Sequence, residues 1–393
     1  MIVDESSSSE DELLILWSLS ASRRKRKYWV RPVNKDREKD GEFHRLFFKW
    51  VNDEEIFYNS FRMTIASFNE LYDKIKHDLV KQDTNWRKAI SAKEKLVVCL
   101  RYLATGDYSS TIGNSYCMGK STVTTIIKET CSAIWKNLQP TYMPFPTEEI
   151  WKQSVIGFHE RWRFPNCLGS IDGKHVTIKC PSNTGSLHYC HKQKFSTVLL
   201  AVVDSDYKFI MIDVGSYGKD SDSTIFQNSV FYKKLIDNEL NIPPAKPFPG
   251  MEEPVPHVFL GDGGFKLENF LMRPFPTDIV IRDHRKANYN RRLYGARRIV
   301  ESAFGILAQK WRVFMNEIEL NPETTNEVIK AACCLHNYLR IKGDNKVVDE
   351  DMVRRYYINA RSFNDFAPNA QRSNITAYEV REHFISYFNN NIM

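Results

Sequence analysis

Through the first third of the chain apolar positions recur every three or four residues, and beyond about residue 165 they alternate or run together. "FHRLFFKWV", from residue 43, and "SFNELYDKIKHDLV" predict helices, with Phe68, Leu71, Ile75 and Leu79 on one stripe. Ser91 followed by Glu94 makes a capping box ahead of Leu96, Val97, Leu100 and Leu103, and Gly106 supplies the stop. A short polar helix is expected next. "CMGKSTVTTIIKE" then reads as a glycine-bearing turn, a Ser121 cap and a helix with Val123, Ile126, Ile127 and Thr130 inward. Three helices with a tight turn before the third follow the helix-turn-helix plan, over about residues 91–137. On that plan Lys120, Thr122, Thr125 and Lys128 face a DNA major groove. A packing unit that binds no DNA has the same spacing.

After the proline-rich connector "QPTYMPFPTEEIW" the texture changes. "CLGSIDGKHVTIKC", "FSTVLLAVVD" and "KFIMIDVGSYG" read as three strands, the last two joined by a turn at Asp204 to Tyr207. "SDSTIFQNSVFYKKLI" reads as one helix with Asp222 near its start, "HVFLGDGGF" as a strand ending in Asp262, and "DIVIRD" as another strand. A helix through "RRIVESAFGILAQKWRVF" follows, with Val300, Phe304, Leu307 and Trp311 on its buried stripe, then "EVIKAACCLHNYL" and a closing helix "TAYEVREHFISYF". Strands followed by alternating helices and strands describe an α/β domain with a mixed central sheet flanked by helices. The expected organisation is a disordered acidic and basic tail over residues 1–42, an all-α region over 43–145, the α/β domain over 160–342, and a loose linker with a C-terminal helix over 343–393.

Composition refines this in two places. With 42% apolar and 13% aromatic residues, most of the 393-residue chain is expected to fold. The net charge of +7 matters less than where the charge lies: after an acidic, serine-rich start, "SRRKRKYW" carries five consecutive basic residues, Arg23 to Lys27. Such a run is a nuclear address, a nucleic-acid contact or a solvated tail. No apolar run reaches the length of a membrane span and no secretory signal opens the chain, so no membrane partner is expected. The eight cysteines lack disulfide-type spacing, which points to a reducing compartment, the nucleus or cytoplasm, with the basic run favouring the nucleus. Cys180, His188, Cys190 and His191 crowd together but match no common structural zinc pattern.

The candidate chemistry lies in carboxylates at the ends of elements. Asp172 follows Ile171, and Asp262 follows "VFLG"; an aspartate beside a core strand must be paired, hydrogen-bonded or metal-bound. Taken alone, each reads as a turn or cap residue, and Glu301 reads as an i, i+4 partner of Arg297. Taken together, two aspartates on neighbouring strands and a glutamate on the helix packed against them suit hard divalent cations. Two such ions can activate a water or a 3′-hydroxyl and stabilise the leaving oxygen of a phosphoryl transfer. Seven arginines or lysines lie between Arg282 and Arg298 with one aspartate, a composition that suits a phosphate backbone. Arg291, Arg292, Arg297 and Arg298 are the candidates there for DNA contact.

The segments "GSIDGKHVTIKCP", "STVLLAVVDSDYKFIMIDVGSYGKDSDSTIFQNS", "VFLGDGGFKLENFLMRPFP", "RRLYGARRIVESAFGILAQKWRVF" and "CCLHNYL" resemble, in order, the DDE transposase domain of the PIF/Harbinger superfamily, which includes the Harbinger-transposase-derived nucleases. The preceding helices, "WVRPVNKDREKDGEFHRLFFKW" and "EVREHFISYF" also look familial. The resemblance implies an RNase H-like fold and a catalytic triad of Asp172, Asp262 and Glu301, holding Mg²⁺ or Mn²⁺ as two ions. Asp222 falls where the family carries a further acidic residue, a fourth candidate metal ligand, and reads equally well as a helix cap. The tract "LHYCHKQKF" departs from the tyrosine- and asparagine-rich run expected there. The resemblance further implies transposon terminal inverted repeats and target DNA as substrates, a Myb-like accessory protein that aids nuclear entry, and a homo-oligomer on DNA. Three functions share these residues: a transposase, a host nuclease that has lost transposition, and a DNA-binding protein without catalysis.

Overall fold

The runs of β-branched and apolar residues between 167 and 217 form an antiparallel meander of β1 (Cys167–Thr177), β2 (Ser196–Val203) and β3 (Phe209–Tyr217). The computed structural model describes residues 28, 30–85, 88–344 and 375–390. On the other side of β1, β4 (Val258–Leu260) and β5 (Leu271–Met272) add in parallel, giving a mixed sheet of order β3-β2-β1-β4-β5. Every residue of β2 is buried because both faces of the sheet are covered. Leu199, Ala201 and Val203 enter one core while Val198, Leu200 and Val202 enter another, as the two-residue period of a strand requires.

The long helix His284–Lys310 lies on the first face, with Ile299, Val300, Phe304 and Leu307 turned into that core beside helix Pro322–Ile341. The second face is covered by helix Glu148–Trp162 and by two short helices, Asp222–Asn228 and Val230–Ile236, which contribute Trp151, Ile225, Phe226, Phe231 and Leu235. The first core continues without a break into the N-terminal helices Glu54–Phe61, Ile65–Leu79, Ala92–Thr105, Ser109–Ser115 and Lys120–Tyr142. The Ser91 hydroxyl accepts from the Glu94 N–H (3.1 Å), and Gly106 ends that helix at φ 70°, a left-handed conformation that suits glycine.

Several expectations are corrected. "DIVIRD" is not a strand. Pro276 precedes it, the N–H groups of Ile279 and Val280 donate to the Pro276 carbonyl, and a single helical turn Thr277–Val280 results, leaving Ile279 and Ile281 exposed. The outer strand is the shorter Leu271–Met272. The segment expected as one helix from Asp222 is two, because Ser229 ends the first by donating to the Phe226 carbonyl (2.6 Å) and caps the second by accepting from the Tyr232 N–H (3.1 Å). The third helix of the N-terminal trio begins at Lys120 with Gly119, not Ser121, at its cap, and it runs through Pro140 to Tyr142. The supposed connector holds the end of helix Lys120–Tyr142 and the start of a further helix, Glu148–Trp162, capped by Thr147.

The basic run Arg23 to Lys27 and the linker over 345–374 lie outside the described residues. The end of the expected tail does not hang free: Arg37 is buried against Glu94 at 3.2 Å, a pairing that lets both charges leave water. No helix among the described residues is long and apolar enough to cross a membrane.

Asn337 ties the layers together. Its amide donates to the carbonyls of Tyr142 and Phe209 (2.8 Å each), and its oxygen accepts from the Phe209 N–H (2.9 Å), all out of water. Asn337→Ala leaves those backbone groups without a partner, so a loss of about 3 kcal/mol is expected in urea denaturation. A loss below about 0.5 kcal/mol would mean that the tie is not needed.

Candidate active site

The register of the sheet places the first two carboxylates. Ser170 of β1 pairs with Leu260 of β4 in parallel, so Asp172, midway along β1, and Asp262, just past the end of β4, are each two residues further on and are brought side by side. Alternation along β1 then turns Ser170, Asp172, Lys174 and Val176 toward helix His284–Lys310. The Ser170 hydroxyl donates to the Arg297 carbonyl (2.9 Å), Asp172 Oδ2 stands 3.7 Å from Arg297 Nη1, and the Lys174 ammonium lies over the Phe304 ring.

Glu301, one turn beyond Arg297, forms an ion pair with the other terminal nitrogen of the same guanidinium. The i, i+4 pair that the spacing suggests is therefore real, but it is not a surface pair: both side chains are less than 15% exposed and they face Asp172.

Asp222 approaches from the opposite face. Gly173 points to that side, and a Cβ there would come within 2.0 Å of Asp222 Oδ1, so glycine is required for the carboxylate to reach the strand. The helix cap is Ser221, whose hydroxyl accepts from the Thr224 N–H (3.2 Å); Asp222 is the first helical residue and its carboxylate is left for the site. Asp262 is held by its own loop: the Gly264 N–H donates to its Oδ1 (2.9 Å), and Arg273 Nη1 donates to the carbonyls of Gly263 (3.3 Å) and Phe265 (3.1 Å).

The electrostatics report the crowding. Burial pushes the Asp172 carboxyl well above the usual carboxylate range; Arg297 opposes the shift, while Asp262, Asp222 and Glu301 reinforce it. Burial and the charge of Asp262 raise Asp222 to about 7, with Lys192 and the Gly173 N–H acting the other way. Burial, then Lys192, lower Lys174 to about 8. Carboxylates that resist ionisation together, each offering hard oxygen donors, fit a divalent cation. Among the described residues, however, no three His, Cys, Asp or Glu side chains already stand at metal-binding separation. Arg297, with contacts to both Asp172 and Glu301, supplies positive charge there.

The remaining candidates are more scattered. Arg291 and Arg298 are exposed on the outer side of the same helix, and Arg292 is half-buried. Arg297 faces the carboxylates and not the solvent where phosphate was expected. Lys120 and Lys128 are exposed, and Thr122 is half-buried; Lys120 pairs with Glu319 (3.3 Å) and Lys128 lies 4.0 Å from Glu323. The sequence reading missed Ser170, Gly173, Lys174 and Lys192. Gly173, directly after an aspartate within a strand, was the one legible signal, since an isolated strand glycine marks a close approach.

Residues 171–337 match the family model of the DDE superfamily endonucleases. The chain is 24% identical over 331 residues to Protein ALP1-like of Arabidopsis thaliana, covering 81% of this chain and 79% of that protein. It is 22% identical over 305 residues to the Arabidopsis thaliana protein named Antagonist of Like Heterochromatin Protein 1, covering 75% of each. It is 22% identical over 263 residues to "Putative nuclease HARBI1" of Mus musculus, covering 66% of this chain and 70% of that one. No solved structure matches significantly. Residues 171–337 are thus similar to the DDE superfamily endonucleases, and the likeness to the ALP1-like and HARBI1 proteins supports the Harbinger-type DDE family. Members of the DDE endonuclease superfamily generally use divalent metal ions.

The raised pKa of Asp222 has a consequence for the metal-free protein. The folded state holds a proton that the unfolded chain releases near the ordinary aspartate pKa. The stability this contributes is complete below about 4 and is lost as the pH rises through about 7. Asp222→Asn lacks that loss. With chelator present, its melting temperature should gain on the wild type between pH 4 and about 7 and then level off. A difference that stays flat with pH would show that Asp222 titrates normally.

Proposed function

We propose that this chain is a metal-dependent DNA endonuclease with an RNase H-like catalytic half, and that the same site joins the freed strand to target DNA, making it a transposase. The observation that carries this reading is the meeting of Asp172 and Asp262, side by side on adjacent parallel strands, with a helix that turns Glu301 toward them. These three would hold Mg²⁺ or Mn²⁺ as a pair of ions, with Asp222 contributing across Gly173. Ions bound there supply an activated water or 3′-hydroxyl and stabilise the leaving oxygen.

The protein's own contribution is placement. Asp172 is fixed by the Gly173 N–H at 2.9 Å, Asp262 by its glycine loop, and Glu301 by a helix whose apolar stripe is locked onto the sheet. Arg291 and Arg298 lie outward on that helix, where a phosphate backbone can run. Lys120, Thr122 and Lys128 are the proposed contacts of a helix-turn-helix with the terminal inverted repeats. A Myb-like accessory protein would aid end recognition and entry into the nucleus, and two or more copies would bring the ends together.

A second reading, a host nuclease with the same site but no transposition, is favoured by the nuclease name carried by the mouse relative. Strand transfer of a DNA end into a plasmid by the purified chain separates the two. A third reading, DNA binding without catalysis, makes the carboxylates dispensable. Asp172→Asn, Asp262→Asn and Glu301→Gln are expected to lower Mg²⁺-dependent plasmid nicking more than about a hundredfold, since metal-borne charge stabilisation amounts to several kcal/mol. Nicking by Asp172→Asn at the wild-type rate would sink the catalytic reading.

A further inference from the structure

We propose that Arg297 is the internal counter-cation of this carboxylate cluster: in the metal-free protein its guanidinium occupies the position beside Asp172 and Glu301 that a divalent ion takes on loading, so it must swing away for the ion to bind. The inference rests on the metal-ion reading above and adds a competitor to it.

Helical spacing and sheet register bring the group there. Arg297 lies one turn before Glu301, which sets its Nη2 on the glutamate, and β1 brings Asp172 Oδ2 to 3.7 Å from Nη1. The Arg297 backbone is pinned by the Ser170 hydroxyl on its carbonyl, so any movement belongs to the side chain.

The manner of holding is the informative part. At 3.7 Å the Asp172 contact is an attraction of charges beyond hydrogen-bond reach. Both Nε and Nη1 are buried without a hydrogen-bond partner, although the guanidinium is only 13% exposed. A permanent structural bridge of this kind normally satisfies its planar fork with two parallel bonds to one carboxylate. Here the fork is held mainly by the need of Asp172 and Glu301 for positive charge. A divalent ion meets that need with twice the charge and repels the guanidinium at the same short range. Once displaced, a long arginine on this helix can reach outward to a phosphate, the partner its shape fits best.

The test measures binding of Mn²⁺ alone to the full chain, by the electron paramagnetic resonance signal of free Mn²⁺, beside the melting temperature in chelator. Arg297→Met keeps the length and removes the charge; Asp172→Asn is the control for the site. Arg297→Met should bind Mn²⁺ at least about tenfold tighter than wild type, should melt lower without metal, and should recover when Mn²⁺ is added. Affinity equal to or weaker than wild type, with Asp172→Asn losing Mn²⁺, overturns the role of Arg297 and leaves the metal reading standing. Wild-type affinity in Asp172→Asn overturns the metal reading and this inference with it. Should Arg297→Met fail to fold, Arg297→Lys carries the test. Its single-point charge on a shorter stem should release the site and tighten Mn²⁺ binding about threefold or more, and an unchanged affinity counts against the proposal.

Discussion

Like charges held close together away from water repel, and the middle of β1 and the carboxyl end of β4 gather Asp172, Asp222, Asp262 and Glu301 into one field. Holding them there is the condition that the surrounding structure serves. The parallel pairing of Ser170 with Leu260 fixes the two strand aspartates relative to each other, and the absence of a side chain at Gly173 admits the third from the far face. The glutamate comes on a helix whose apolar stripe is buried against the sheet. Such packing on both faces of the sheet resists the spreading apart that repulsion favours. Arg297 supplies opposing charge from within the same helix.

The layers explain why so much chain surrounds so small a site. The helix that bears Glu301 packs on β1, on β2 and on the C-terminal helix Ile375–Asn390, and its core is continuous with that of the N-terminal helices. Asn337 binds the end of helix Lys120–Tyr142 to β3 through buried hydrogen bonds. The helices proposed to meet DNA thus share one packed interior with the catalytic sheet. Glu319 carries the point further: it pairs with Lys120 from the helical region and with Lys179 from the loop after β1 (3.2 Å).

Much of this was legible in the chain. Capping signals and three-to-four periodicity located the helices Ala92–Thr105 and Ile65–Leu79, and the long apolar runs located β1 to β3, because local preference and burial agree there. Asp172, Asp262 and Glu301 were visible as acidic residues among core elements, although only Asp262 ends one: Asp172 lies midway along β1 and Glu301 within the helix His284–Lys310. What the chain concealed depends on tertiary context. β5 is two residues long and has no periodicity to read, while "DIVIRD" has the composition of a strand and is turned by the proline before it. Glu148–Trp162 was hidden behind a connector rich in proline. Arg297 could be paired with Glu301 by spacing, yet nothing in the spacing says that the pair faces inward onto Asp172. That depends on the rotation of the helix, which the sheet decides.

The central claim is that these carboxylates form one metal site, and a crystal of the full chain soaked in Mn²⁺ tests it most directly. Anomalous scattering should place an ion in contact with Asp172 and Glu301 and close to Asp262, with the Arg297 guanidinium moved off the two carboxylates it pairs with here. Manganese bound elsewhere, with Asp172 and Glu301 still closed on Arg297, would contradict the account.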